Sequence, residues 1–83
     1  MYEENLLQRI RVDPRISGGK PIIRGRQLAV EHVLGMLAAG DNRETILEGY
    51  SWLQHHDIQA CLVYARRVVR HERVEPLIIE SAA

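Results

Sequence analysis

The sequence predicts a mainly α domain in which three helices follow a small N-terminal β-ribbon. Two stretches point to the helices. Apolar residues recur about every 3.6 positions at Val30, Val33, Leu34, Leu37 and Ala38, and the same period returns after His55. A third observation points to the ribbon. Residues 16–30 hold three glycines, one proline and three cations, a composition that is costly in a helix interior and suited to a tight hairpin.

Residues 1–10 read either as a short helical turn or as an arm leading into a strand at Arg9-Ile10-Arg11-Val12. Asp13-Pro14 ends that segment, because proline restricts the residue before it and has no backbone donor. Pro21-Ile22-Ile23-Arg24 and Arg26-Gln27-Leu28-Ala29 then form two extended runs around Gly25, which supplies the positive φ such a turn needs. Gly40 stands where a helix C-terminal cap belongs. Asp41 or Asn42 caps the next helix, and Asp41 with Glu44 has capping-box spacing. That helix is short, about Arg43–Gly49, with Ile46 and Leu47 turned inward. Tyr50-Ser51-Trp52-Leu53 turns the chain into a long helix over about His55–His71. On a helical wheel Ile58, Cys61, Leu62, Ala65, Val68 and Val69 share one apolar arc, while Gln59, Arg66, Arg70 and Arg73 lie outside it with Arg67 adjacent. Pro76 breaks the pattern before Leu77-Ile78-Ile79. The expected organisation is one domain over residues 1–73 and a C-terminal tail over 74–83.

A chain of 83 residues makes one small domain, which buries about 60–65% of its unfolded surface. With 46% hydrophobic and 27% charged residues, the composition is that of an ordinary globular protein. One Trp, three Tyr and no Phe leave the core to aliphatic side chains. A single Cys excludes an intrachain disulfide, which fits a reducing compartment. No run approaches the ~20 apolar residues of a membrane span, and Met1-Tyr2-Glu3-Glu4-Asn5 is not a signal peptide. A cytoplasmic location without a membrane partner is expected.

The net charge is zero, but the charge is distributed in blocks. Residues 1–30 carry six cations against three anions, and residues 31–60 carry one against five. Residues 61–73 carry four against one, and residues 74–83 only two anions. Local basic patches, rather than net charge, make a phosphate-binding footprint. Ten of the eleven cations are Arg, whose planar fork favours bidentate contact with phosphate, guanine or carboxylate.

Metal and catalytic chemistry find little support. Gly18-Gly19-Lys20 lacks the first glycine of a phosphate-binding P-loop, and Pro21 stands where a magnesium-binding Ser or Thr belongs. His55 and His56 are adjacent, so on a helix they point about 100° apart, and no second His follows at helical spacing. Cys61 lies in the apolar arc as a small core residue. The carboxylates Glu31, Asp41, Glu44, Glu48 and Asp57 are accounted for by caps, helix starts and solvated faces. Neither a cofactor nor an enzymatic activity is expected.

The long helix has a more specific reading. A short helix, a turn and a long helix match helix-turn-helix geometry of the homeodomain-like kind, in which the later helix enters the major groove and reads bases near its N-terminus. Gln54, His55, His56 and Gln59 occupy that end, and such side chains hydrogen-bond to base edges. Arg66, Arg67 and Arg70 would then lie nearer phosphates, and Lys20, Arg24 and Arg26 on the ribbon could clasp others. A charged hairpin tip or a solvated helix face is the plainer explanation of the same residues. Asp57 is discordant beside a phosphate and fits better as a first-turn acid at the helix start.

Several of these residues also carry a resemblance. Asp13-Pro14, Gly18-Gly19-Lys20-Pro21, Ile23-Arg24-Gly25-Arg26 and Val30 occur in order. Leu37-Ala38-Ala39-Gly40, Ile46-Leu47, Tyr50, Leu53, Asp57-Ile58, Ala60, Leu62 and Tyr64-Ala65 follow. Over roughly residues 9–67 the chain resembles the domain of unknown function four-three-three family, small prokaryotic proteins with a helix-turn-helix core. It departs from that family's usual pattern at Ser51, where proline is usual after the tyrosine, and at Gln54, where Ser or Thr is usual. Many members are proposed to be antitoxins encoded beside a PIN-like ribonuclease toxin. The resemblance therefore implies a protein that binds double-stranded DNA, represses its own operon and neutralises such a toxin, with Leu77, Ile78 and Ile79 of the tail as partner-binding residues; the plainer reading of those three is that they pack back on their own domain or on a dimer mate. A homodimer is expected, because helix-turn-helix proteins commonly pair on matched half-sites. The exposed ribbon edge or the apolar tail would provide the joint. The alternative is a protein-interaction module that does not bind DNA.

Overall fold

The computed structural model describes residues 2–71. The chain runs through α1 (Tyr2–Leu7), β1 (Ile10–Arg11), a 3-10 turn (Ser17–Gly19), β2 (Ile22–Ile23), α2 (Val30–Ala38), α3 (Arg43–Gly49) and α4 (His55–His71). The structure is mainly helical, with four helices among the described residues rather than three, and one small antiparallel sheet. The segment with two sequence readings contains both elements: a helix over Tyr2–Leu7, then a strand. Glu3 and Glu4 place acid at the positive end of α1, and Leu6 faces inward.

The ends of α2 and α3 show why the sequence breaks where it does. Gly40 at φ 104 follows α2, its N–H bonds the Leu37 carbonyl at 3.0 Å and that of Asp41 bonds the Met36 carbonyl at 3.1 Å. These two bonds are those of a Schellman motif, which needs the left-handed residue that glycine supplies cheaply. Asp41 is thereby committed to closing α2, and Asn42 caps α3 instead, its Oδ1 accepting the Thr45 N–H at 2.8 Å. At α2's start Ala29 offers no side-chain cap, and the Val30 N–H is satisfied by the Pro21 carbonyl at 3.0 Å.

The ribbon differs from the sequence expectation in its main partner. Ile22–Ile23 pairs with β1, Ile10 opposite Ile23 and Arg11 opposite Ile22. The Arg26–Ala29 run contributes only a bridge from Ala29 to Ile22 and a Leu28 carbonyl that accepts the Ile23 N–H. The tight turn itself is present: the Arg26 N–H bonds the Ile23 carbonyl at 3.1 Å, with Gly25 at φ 83 in the third position. β2 therefore lies between two neighbours, so the ribbon edge expected to be exposed is taken by β1.

Two clusters form the core. The larger joins Ile23, Val30, Val33, Ile46, Leu53, Ile58 and Cys61, and so binds the sheet, α2, α3 and α4 together. The smaller joins Leu6 of α1 to Ala60 and Val63 of α4. This second contact changes the reading of the long helix. Ile58 and Cys61 of the expected arc are buried, but Leu62, Val68 and Val69 are 37%, 40% and 71% exposed. The first half of α4 buries two sides, one against α2 and α3 and one against α1, while among the described residues the apolar arc continues beyond the elements that cover it.

Ile58 is fully buried at the junction of these layers. Ile58→Ala is expected to destabilise the protein by about 2–5 kcal/mol through lost transfer energy and a residual cavity, measured as the loss in unfolding free energy in urea.

Candidate nucleic-acid interface

The start of α4 is fixed by a carboxylate. Asp57 is only 6% exposed. Its Oδ2 accepts the Gln54 N–H at 2.9 Å, the return half of a capping box. Its Oδ1 accepts Arg9 Nη1 at 3.0 Å, and the same nitrogen donates to Gln54 Oε1 at 2.9 Å. A buried carboxylate is costly unless its oxygens are bonded, and here one oxygen serves the helix start while the other holds the segment that leads into β1.

Around this clamp lies a cleft of about 210 Å³ between the 23–26 turn and α4, lined by Arg9, Arg24, Arg26, Trp52, Gln54 and Asp57 among others. The Arg26 guanidinium carbon sits 5.1 Å from the Trp52 ring centroid, a cation–π contact worth about 0.5–1 kcal/mol at an exposed site. Tyr50 meets Trp52 edge-on with centroids 6.2 Å apart, and Tyr50 Oη lies 3.2 Å from His32 Nε2. Gln54 of the cleft lining is exposed, as are His55 and His56, which follow it in the first turn of α4. Arg24 and Arg26 have no ionic or hydrogen-bonding side-chain partner among the described residues.

The structure brings Arg24, Arg26 and Gln54 together in the cleft lining, with Gln54 Oε1 already bonded to Arg9; His55 and His56 do not line it, and His56 instead lines a hollow with Tyr2, Asn5, Leu6 and Arg9. The remaining sequence-derived candidates are placed elsewhere or already engaged. Lys20 pairs with Glu31 at 3.2 Å. Gln59 Oε1 accepts Arg43 Nη2 at 2.9 Å and ties α3 to α4. Arg67 donates to Glu3 at 3.0 Å and to Glu4 at 3.1 Å, and Arg66 lies 3.7 Å from Glu3. Glu3 first, then Glu4, raises the Arg67 pKa above its ordinary value. The buried Arg67 Nε has no hydrogen-bond partner among the described residues. Arg70 is exposed. Leu77, Ile78 and Ile79 lie outside the described residues. Sequence reasoning missed Arg9, Trp52 and the clamping role of Asp57. The available signal was the spacing of Gln54 and Asp57, which matches an N-cap and its third helical residue.

Among the described residues no group of three or more His, Cys, Asp or Glu side chains could hold a metal ion, and no helix is long and apolar enough to cross a membrane. Cys61 is buried, and desolvation, then the Asp57 charge, pushes its thiol up to about 12. The thiolate is the reactive form, so in the native protein Cys61 is expected to resist iodoacetamide at pH 8 and to react once urea unfolds the chain, as followed by mass spectrometry. Removing the clamp tests the site's architecture. Asp57→Ala is expected to cost about 1–3 kcal/mol, by leaving Arg9 without its counter-charge and the helix start uncapped. Asp57→Asn, which keeps an acceptor for the Gln54 N–H, is expected to cost less in the same urea titration.

No curated protein and no solved structure matches the chain. A family model does, over residues 10–65, from β1 into α4 and so across the cleft and more than half of the sequence. On that match the chain belongs to the family described as protein of unknown function (DUF433).

Proposed function

We propose that this protein is a cytoplasmic helix-turn-helix DNA-binding protein of the antitoxin type, which represses its own operon as a homodimer and neutralises a PIN-like ribonuclease toxin. The observation that carries the DNA reading is the surface at the start of α4. Gln54, His55 and His56 stand exposed at the start of the helix that follows α3 and its turn, and Arg24 and Arg26, without an ionic partner among the described residues, share a cleft with Gln54. That order of side chains suits base edges read from a helix start and phosphates gripped from beside it. The toxin partner, the autorepression and the dimer rest on the family resemblance and on the general habit of such domains. A second reading, a protein-interaction module without DNA, is favoured by one observation: Leu62, Val68 and Val69 leave an apolar strip exposed on α4 among the described residues.

The test is a gel shift on the DNA upstream of the protein's own gene. Affinity is expected to fall steeply with salt, as bound phosphates release counterions. His55→Ala and His56→Ala are expected to narrow the preference for that DNA over unrelated sequence by about tenfold, the scale of one lost base contact. Arg70→Ala should lower affinity for all sequences alike. Folded protein that gives no complex at low salt rejects the DNA reading and leaves the interaction module.

A further inference from the structure

We propose that the cleft between the 23–26 turn and α4 is the seat of one backbone phosphate of the bound duplex, with Arg24 and Arg26 as its clamp and Trp52 as the surface that holds Arg26 ready. The inference rests on the DNA reading and assigns a particular contact within it.

The donors in the cleft are unequally committed. Arg9 spends Nη1 on Asp57 and Gln54, at 3.0 and 2.9 Å. It neutralises the one carboxylate in the cleft, whose other oxygen is turned to the Gln54 N–H. Arg24 and Arg26 spend no N–H group on a described side chain. Arg26 is not loose, because it lies over the Trp52 ring at 5.1 Å. A guanidinium held through its face keeps its in-plane N–H groups for an anion, which a freely rotating side chain would have to organise on binding.

Arg24 and Arg26 belong to the turn closed by the Arg26 N–H on the Ile23 carbonyl, with Gly25 between them at φ 83. Ile23 is buried in the main core, so the turn that carries both cations is anchored at its base. Two arginines that line one cleft from the same hydrogen-bonded turn suit an anion with several oxygens, and phosphate meets that requirement better than a single carboxylate. Gln54 lines the same cleft, so a polyanion seated there lies beside a side-chain amide of the kind that meets base edges. That neighbour, together with the DNA reading on which the proposal rests, favours a nucleic-acid phosphate over an acidic peptide.

Trp52 is the protein's only tryptophan, so its emission reports on this cleft without labelling. Titrating the full chain with a duplex of its own upstream DNA is expected to give a saturable change in emission. Arg24→Ala and Arg26→Ala should each weaken that binding about tenfold at low salt, the scale of one lost charge-assisted contact. Each should also lower the slope of log affinity against log salt by about one, whatever the DNA sequence. Arg15→Ala, which removes a cation paired with Asp13 at 3.2 Å, should change neither quantity. Circular dichroism confirms that each variant is folded.

Duplex binding with unchanged emission and with full affinity and slope in both variants would overturn the phosphate seat and leave the DNA reading standing. Failure of the unaltered protein to bind any duplex would remove both. An emission change on adding poly-glutamate but not duplex, lost in Arg26→Ala, would overturn the proposal by giving the cleft to an acidic protein segment.

Discussion

The structure depends on where one buried carboxylate directs its two oxygens. Asp57 closes the first turn of α4 through the Gln54 N–H and holds Arg9 through its other oxygen. Arg9 leads into β1, and its carbonyl accepts the Arg24 N–H at 2.7 Å. The same short segment thus reaches the start of α4 through a side chain and the 23–26 turn through the backbone. In a domain of this size the apolar core is small, and polar bonds between distant segments do much to choose one arrangement among several compact ones. With Arg9 31% exposed on its side chain, the ion pair is not deeply desolvated, so it avoids most of the penalty that makes buried pairs poor stabilisers.

That clamp also explains why the cleft can carry unspent cations. Clustered guanidinia repel one another, and a small protein tolerates them best when one is neutralised and the others reach solvent. Arg9 is neutralised by Asp57, Arg26 rests on an aromatic face, and Arg24 projects from an exposed turn. The aromatic line from His32 through Tyr50 to Trp52 backs this surface with side chains that lose little freedom on packing.

Much of the helical architecture was legible in the sequence, and the reasons are local. The bounds expected for α3 and α4, Arg43–Gly49 and His55–His71, are those observed, because apolar period, caps and glycine stops all act within a few residues. The ribbon was legible as a turn and not as a sheet. Gly25 announces the tight turn, but nothing in a two-residue strand at Ile22–Ile23 says that its partner is Ile10–Arg11 across a loop. The site divided in the same way. Arg24, Arg26 and Gln54 stood out by type and position, whereas Arg9 and Trp52 joined them in the cleft only through tertiary contact.

The sharpest lesson concerns charge. The sequence shows a basic block over residues 61–73, which reads as a continuous footprint on one helix. Folding sets the acids of α1 against it: Glu3 and Glu4 lie 3.0 and 3.1 Å from Arg67, across more than sixty residues of chain. Arg67 is thereby half-buried, while Arg66, 3.7 Å from Glu3, and Arg70 stay exposed. α1 therefore does two jobs with one face. Leu6 covers Ala60 and Val63, and the acids beside it neutralise the arginines that follow on α4. At the other end of the helix Arg24 and Arg26 have no ionic partner among the described residues, and Gln54 lines the cleft with them. A basic block along the chain is thus partly cancelled in space by acids from a segment more than sixty residues away, which the linear charge pattern does not show.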